Sequence, residues 1–71
     1  MNFHDTNALF DYLINAHGLK NDRALAQALG VAAPVICKVR KGNLKLGAVL
    51  IIYIHEYSGL SVAEIKTAIK T

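Results

Sequence analysis

The sequence predicts an all-α fold, a compact bundle of five short helices spanning residues 1–71 as a single domain. Three observations lead there. Apolar residues recur at helical spacing in five separate segments. No stretch alternates as a half-buried strand does, and neither hairpin dipeptide, Asn-Gly or Asp-Gly, occurs. A glycine follows each of the first four segments, where a helix commonly ends in a left-handed residue. There is no repeat, low-complexity tract or linker to divide the chain.

The first helix is expected from about Asn7 to Ala16. Leu9, Leu13 and Ala16 set its spacing, Phe10 and Ile14 widen the apolar stripe, and Asp5 or Thr6 can cap its start. The second runs from Asp22 to Leu29, behind Asn21 as N-cap and ahead of Gly30, with Leu25, Ala26 and Leu29 as apolar positions. The third covers Ala33 to Lys41 and stops at Gly42. Pro34 marks its first turn, because a missing N–H loses nothing there but would break a helix interior. The fourth spans about Ala48 to Tyr57 and ends at Ser58-Gly59. The fifth, Val62 to about Ile69, has the clearest start: Ser61 and Glu64 form a capping box, and Leu60 and Ile65 are spaced as a hydrophobic staple.

Seventy-one residues bury only about 60% of the surface the unfolded chain exposes, so the core is small and needs a staple, a partner or well-formed helix packing. Cys37 is the sole cysteine, which excludes an internal disulfide. Residues 1–17 carry His4, Asp5 and Asp11 and lack the basic-then-apolar layout of a signal peptide. The longest apolar run, Leu46 to Ile54, falls far short of the ~20 residues that span a bilayer. The expectation is a soluble protein in a reducing, cytoplasmic setting.

The net charge is +3 and the pI about 9.3. Distribution is more informative than the sum. No carboxylate lies between Asp22 and Glu56, whereas Arg23, Lys38, Arg40, Lys41 and Lys45 all do, four of them within residues 38–45. Such a cluster either serves solubility or meets an anionic partner.

The segment Asp22 to Lys41 favours the partner. Two short helices are joined there by Gly30-Val31-Ala32, and a steep meeting of helices constrains several positions. Ala26 is small where the helices approach, Gly30 tolerates positive φ in the turn, and Leu25, Leu29, Val31, Ile36 and Val39 can fill the angle between them.

On these residues, DRALAQALGVAAPVICKVRKG from Asp22 to Gly42, the chain resembles the helix-turn-helix of the phage-repressor and Cro (XRE-like) family of bacterial and phage regulators. A looser likeness extends through GLSVAEI, Gly59 to Ile65, so that about residues 19–66 follow the family's order of helices. The resemblance implies a lambda-repressor-like DNA-binding domain whose second paired helix enters the major groove. It places the base-reading positions on Ala33, Pro34, Cys37 and Lys38, and the phosphate-anchoring ones on Asp22, Lys41 and Asn43. Arg23, Arg40 and Lys45 are the neighbouring cations that would meet phosphates with them, Arg40 pointing either toward the backbone or away.

Two departures qualify this expectation. The family commonly has Gln where Asp22 stands, and an aspartate would repel a phosphate; its plainer role is a favourable charge at a helix N-terminus. Ala33, Pro34 and Val35 carry no polar side-chain groups, so the helix offers packing against thymine methyl groups and leaves Lys38 as the one strong donor. Specificity then draws on DNA shape and water. Cys37 suits a redox sensor less well than a small residue allowing close approach.

The fourth helix is too apolar for one buried stripe. Ala48, Ile51, Ile52 and His55 fall where the family packs its core, leaving Val49, Leu50, Tyr53 and Tyr57 to a second surface. A homodimer interface is the expected use, matching two-fold symmetric operators; alternatively the N-terminal helix covers one stripe. No catalytic set is visible, His4, His17 and His55 lack metal-ligand spacing, and there is no glycine-rich phosphate loop. Neither enzyme activity, cofactor, metal nor small-molecule ligand is expected. The sequence thus points to a dimeric DNA-binding transcriptional regulator, a repressor by operator occupancy. The rival is a protein-interaction module, an antirepressor or adaptor on the same scaffold; an antitoxin that binds both a toxin and its own operator would combine the two.

Overall fold

A computed structural model describes residues 2–69. Five helices follow one another: α1 (Thr6–Ala16), α2 (Asp22–Leu29), α3 (Ala33–Arg40), α4 (Ala48–Ser58) and α5 (Val62–Lys66), with no strand among the described residues. The radius of gyration, 10.7 Å, matches the roughly 11 Å of a folded chain of this length, so the helices pack as one body.

Local chemistry sets the boundaries. Asp5, not Thr6, caps α1: its Oδ1 accepts from the Ala8 N–H at 2.8 Å. Asn21 does the same for α2 through the Ala24 N–H at 2.9 Å. Gly30, at φ 78°, ends α2 in the left-handed region, and the Val31 N–H returns to the Ala26 carbonyl at 2.9 Å. That closure turns the chain straight into α3, which has no side-chain cap and starts on Pro34 in its first turn. Both halves of the Ser61–Glu64 capping box form, and Leu60 and Ile65 are buried beside it. α5 is shorter than its apolar spacing suggests. After Lys66 the bonds tighten to the i→i+3 type at Thr67, Ala68 and Ile69, and the Thr67 hydroxyl donates to the Glu64 carbonyl at 2.6 Å.

The core draws on every helix. Leu9, Phe10 and Leu13 of α1 meet Leu25 of α2, Ile36 of α3, Ile54 of α4 and Ile65 of α5, and among the described residues no polar or charged one is buried. Phe3, ahead of α1, is buried as well and stacks at a tilt on Tyr12. α1 packs on α2 and α3, while α4 packs on α2 and α5. No helix among the described residues is long and apolar enough to cross a membrane.

α4 is rotated relative to expectation. Leu50, Ile51 and Ile54 face inward, whereas Ile52 is 50% exposed and Ala48 and His55 also lie at the surface. Of the expected core set only Ile51 is buried, and Leu50, expected on the outer surface, belongs to the core. Apolar residues surround this helix, so its own periodicity cannot phase it. The neighbours α2 and α5 do so instead.

Candidate nucleic-acid interface

Burial of Ile36 and Val39 fixes which side of α3 looks outward. Ala33, Pro34, Cys37 and Lys38 are all exposed, one and four residues apart along a single face. The loop after α3 is drawn back against it, because the Asn43 and Leu44 N–H groups both donate to the Lys38 carbonyl, at 2.9 and 3.2 Å. Lys41 and Asn43 are thereby held beside the last turn of α3.

A shallow concavity results, lined by Asp22 and Arg23 from the start of α2, by the four exposed α3 residues, and by Lys41 and Asn43. The structure therefore brings together all four expected base-reading positions with Asp22, Arg23, Lys41 and Asn43 of the positions expected at phosphates. Lys45 lies apart, in a second depression beside Asp5, Thr6 and Leu44. Cys37 is a free, exposed thiol. Among the described residues no group of three or more His, Cys, Asp or Glu side chains is placed to hold a metal ion.

Arg40, expected to meet phosphate, is turned inward. Its side chain is only 21% exposed. Nη2 donates to Asp11 Oδ1 at 2.8 Å and Nη1 to Asn7 Oδ1 at 3.0 Å. Nε lies 2.8 Å from Asp22 Oδ2 as an ion pair, off the hydrogen-bonding direction, and the guanidinium carbon sits 5.6 Å from the centroid of the Phe10 ring. Burial alone would lower the guanidinium pKa, but the two carboxylates outweigh it and the net shift is upward. The reason for the inward turn is position: residue 40 follows the buried Val39 on the side of α3 that meets α1. Asn7 and Asp11 thus belong to the surroundings of the site, although nothing in their sequence spacing marks them. Asp22 stands in the first turn of α2, as expected, and gains Arg40 as a partner.

On α4, Val49 (62% exposed), Ile52 and Tyr53 form an uncovered apolar face. Tyr57 is half-buried and stacks on His17, with ring centroids 4.6 Å apart. The end of α1 therefore reaches one residue of the expected interface and leaves Val49, Ile52 and Tyr53 open. His55 Nδ1 lies 2.6 Å from the Leu60 carbonyl oxygen and so ties the end of α4 to the residue before the α5 cap. No family model matches this chain, nor does any curated protein or solved structure.

Proposed function

We propose that this chain is a sequence-specific, double-stranded DNA-binding transcriptional regulator that sets α3 into the major groove and represses by occupying its operator. One observation carries the reading: the outward face of α3, Lys38 included, is continuous with Arg23 and Lys41, and the one carboxylate that described residues bring to that concavity, Asp22, is paired with Arg40. The major groove is about 12 Å wide and admits an α-helix. A helix lodged there carries Ala33, Pro34, Cys37 and Lys38 to the base edges while Arg23, Lys41 and Asn43 meet the flanking phosphates. The resemblance of residues 22–42 to the phage-repressor and Cro family supports the same placement. The apolar face of Val49, Ile52 and Tyr53 suits a homodimer, whose symmetry a palindromic operator would mirror. Such a regulator works in the cytoplasm, which fits a free exposed cysteine.

The test is selection of bound duplexes from a random pool at low and physiological salt. The expected result is a palindromic consensus with half-sites about one helical turn apart. Enrichment without a motif, vanishing as salt rises, would reduce the reading to backbone attraction. A protein-interaction module is the second reading, favoured by the apolar character of Ala33, Pro34 and Cys37 and by the open face of α4. Salt separates them: a dimer contacting ~6–8 phosphates has a log–log slope of roughly −5 to −7, whereas an apolar protein contact hardly responds.

A further inference from the structure

We propose that Arg40 is the positioning residue of this surface: it binds no phosphate itself, but anchors α3 to α1 and α2 and draws the Asp22 charge back from the concavity. The inference rests on the duplex-DNA reading above. Among the described residues, Asp22 is the only acidic one lining a concavity that otherwise offers Arg23, Lys38, Lys41 and Asn43. Uncompensated, its carboxylate would stand where a phosphate has to approach, and like charges in such a site repel. Arg40 meets it from the protein side. Asp22 Oδ2 is 2.8 Å from Nε, and the opposite end of the same fork is held by Asp11 Oδ1 at 2.8 Å and Asn7 Oδ1 at 3.0 Å.

One planar group thus joins three helices at the end of α3 from which Lys38 and Lys41 emerge. A guanidinium spreads its charge over a rigid fork, so it can hydrogen-bond Asn7 and Asp11 while Nε keeps the ion pair with Asp22; an ammonium is a single point of charge. The arrangement reconciles an aspartate in the wall of the concavity with an anionic ligand, and it explains why the one arginine of the 38–45 cluster is turned away from solvent.

A double-mutant cycle tests this by anisotropy with a 5′-labelled random-sequence duplex, at about 50 and 200 mM salt. Arg40→Met is expected to weaken binding by about tenfold or more, and Asp22→Asn in the wild-type background to change it by less than about threefold. Combining the two should restore affinity to within about threefold of Asp22→Asn alone, which a merely structural role for Arg40 would not produce. The salt slope of the double variant should equal that of wild type. Additive effects with an unchanged slope would leave Arg40 as a structural anchor only, and a slope smaller by about 0.9 in the double variant would show that it is itself a phosphate ligand; either result would overturn the inference. Circular dichroism checks that each variant folds. If Arg40→Met does not fold, the wild-type chain decides the matter: adding duplex should move the Lys38 and Lys41 amide resonances and leave the Arg40 Nε–H resonance in place. An equal movement at Arg40 would overturn the inference. No duplex binding by wild type at the lower salt would overturn the DNA reading and this inference with it, whereas binding with additive losses would overturn this inference alone.

Discussion

The Phe3 N–H donates to the Thr67 hydroxyl oxygen at 2.8 Å, joining the segment before α1 to the turn after α5. Thr67 in turn donates to the Glu64 carbonyl at 2.6 Å, so a single side chain ties the end of α5 to the buried Phe3. Thr67→Val keeps the shape and removes both bonds. It should cost about 1–2 kcal/mol, with the Phe3 N–H left without its partner. In thermal denaturation that is a fall in Tm of about 4–8 °C per kcal/mol for a domain of this size.

Ser61→Ala removes one half of the capping box. Loss of such a cap costs about 0.5–2 kcal/mol, and the effect should appear in urea denaturation as a lower midpoint with an unchanged slope. An unchanged midpoint would mean that the Ser61 hydroxyl contributes nothing to holding α5.

Neighbouring residues of α4 should respond in opposite ways. Leu50 is buried and Leu50→Ala should cost about 2–5 kcal/mol, a large share of the 5–15 kcal/mol available to a small domain. Ile52 is half exposed, and Ile52→Glu should leave the melting of the monomer nearly unchanged while abolishing self-association in sedimentation equilibrium. A wild-type chain that remains monomeric at tens of micromolar, without DNA, would remove the homodimer from the proposed function.

Lys38 and Lys41 should separate specificity from affinity. Lys38→Ala is expected to cost about 1–3 kcal/mol on the selected operator and to relax preference at one base position. Lys41→Ala should weaken all duplexes alike and reduce the salt slope by about 1. If Lys38→Ala binds with unchanged affinity and preference, the placement of α3 in the groove is wrong.

The exposed, apolar Ala33–Pro34 end of α3 makes the thymine methyl group its natural contact. Replacing thymine by uracil in the selected operator removes that methyl and nothing else. Each contacted position should lose about threefold to fourfold in affinity, the equivalent of ~0.8 kcal/mol for one buried methyl group. Equal affinity for the uracil operator would leave specificity to Lys38 and to DNA shape.

Much of this architecture is legible in the order of residues. Asn21, Gly30, Pro34 and the Ser61–Glu64 pair act on backbone groups within a few positions of themselves, so their effect on helix boundaries needs no knowledge of the rest of the fold. The outward face of α3 is legible for a related reason: Ile36 and Val39 are its strongly apolar residues at helical spacing, and what remains on the other side is Ala33, Pro34, Cys37 and Lys38.

The rotation of α4 and the direction of Arg40 were of another kind. A helix apolar on all sides has no preferred inward face until α2 and α5 are set against it, so Leu50 and Ile52 exchange the roles that family likeness suggests. Arg40 carries the same charge as Lys38 and Lys41, and although its place four residues after Ile36 sets it toward the inner side of α3, nothing local supplies a partner for it there. What separates it is the approach of Asn7 and Asp11 on α1 and Asp22 on α2, contacts between residues far apart in the chain. Short-range capping and periodicity therefore prescribe the helices and the site's outer residues, while the long-range packing of those helices selects which cation is withdrawn and which apolar face is left open.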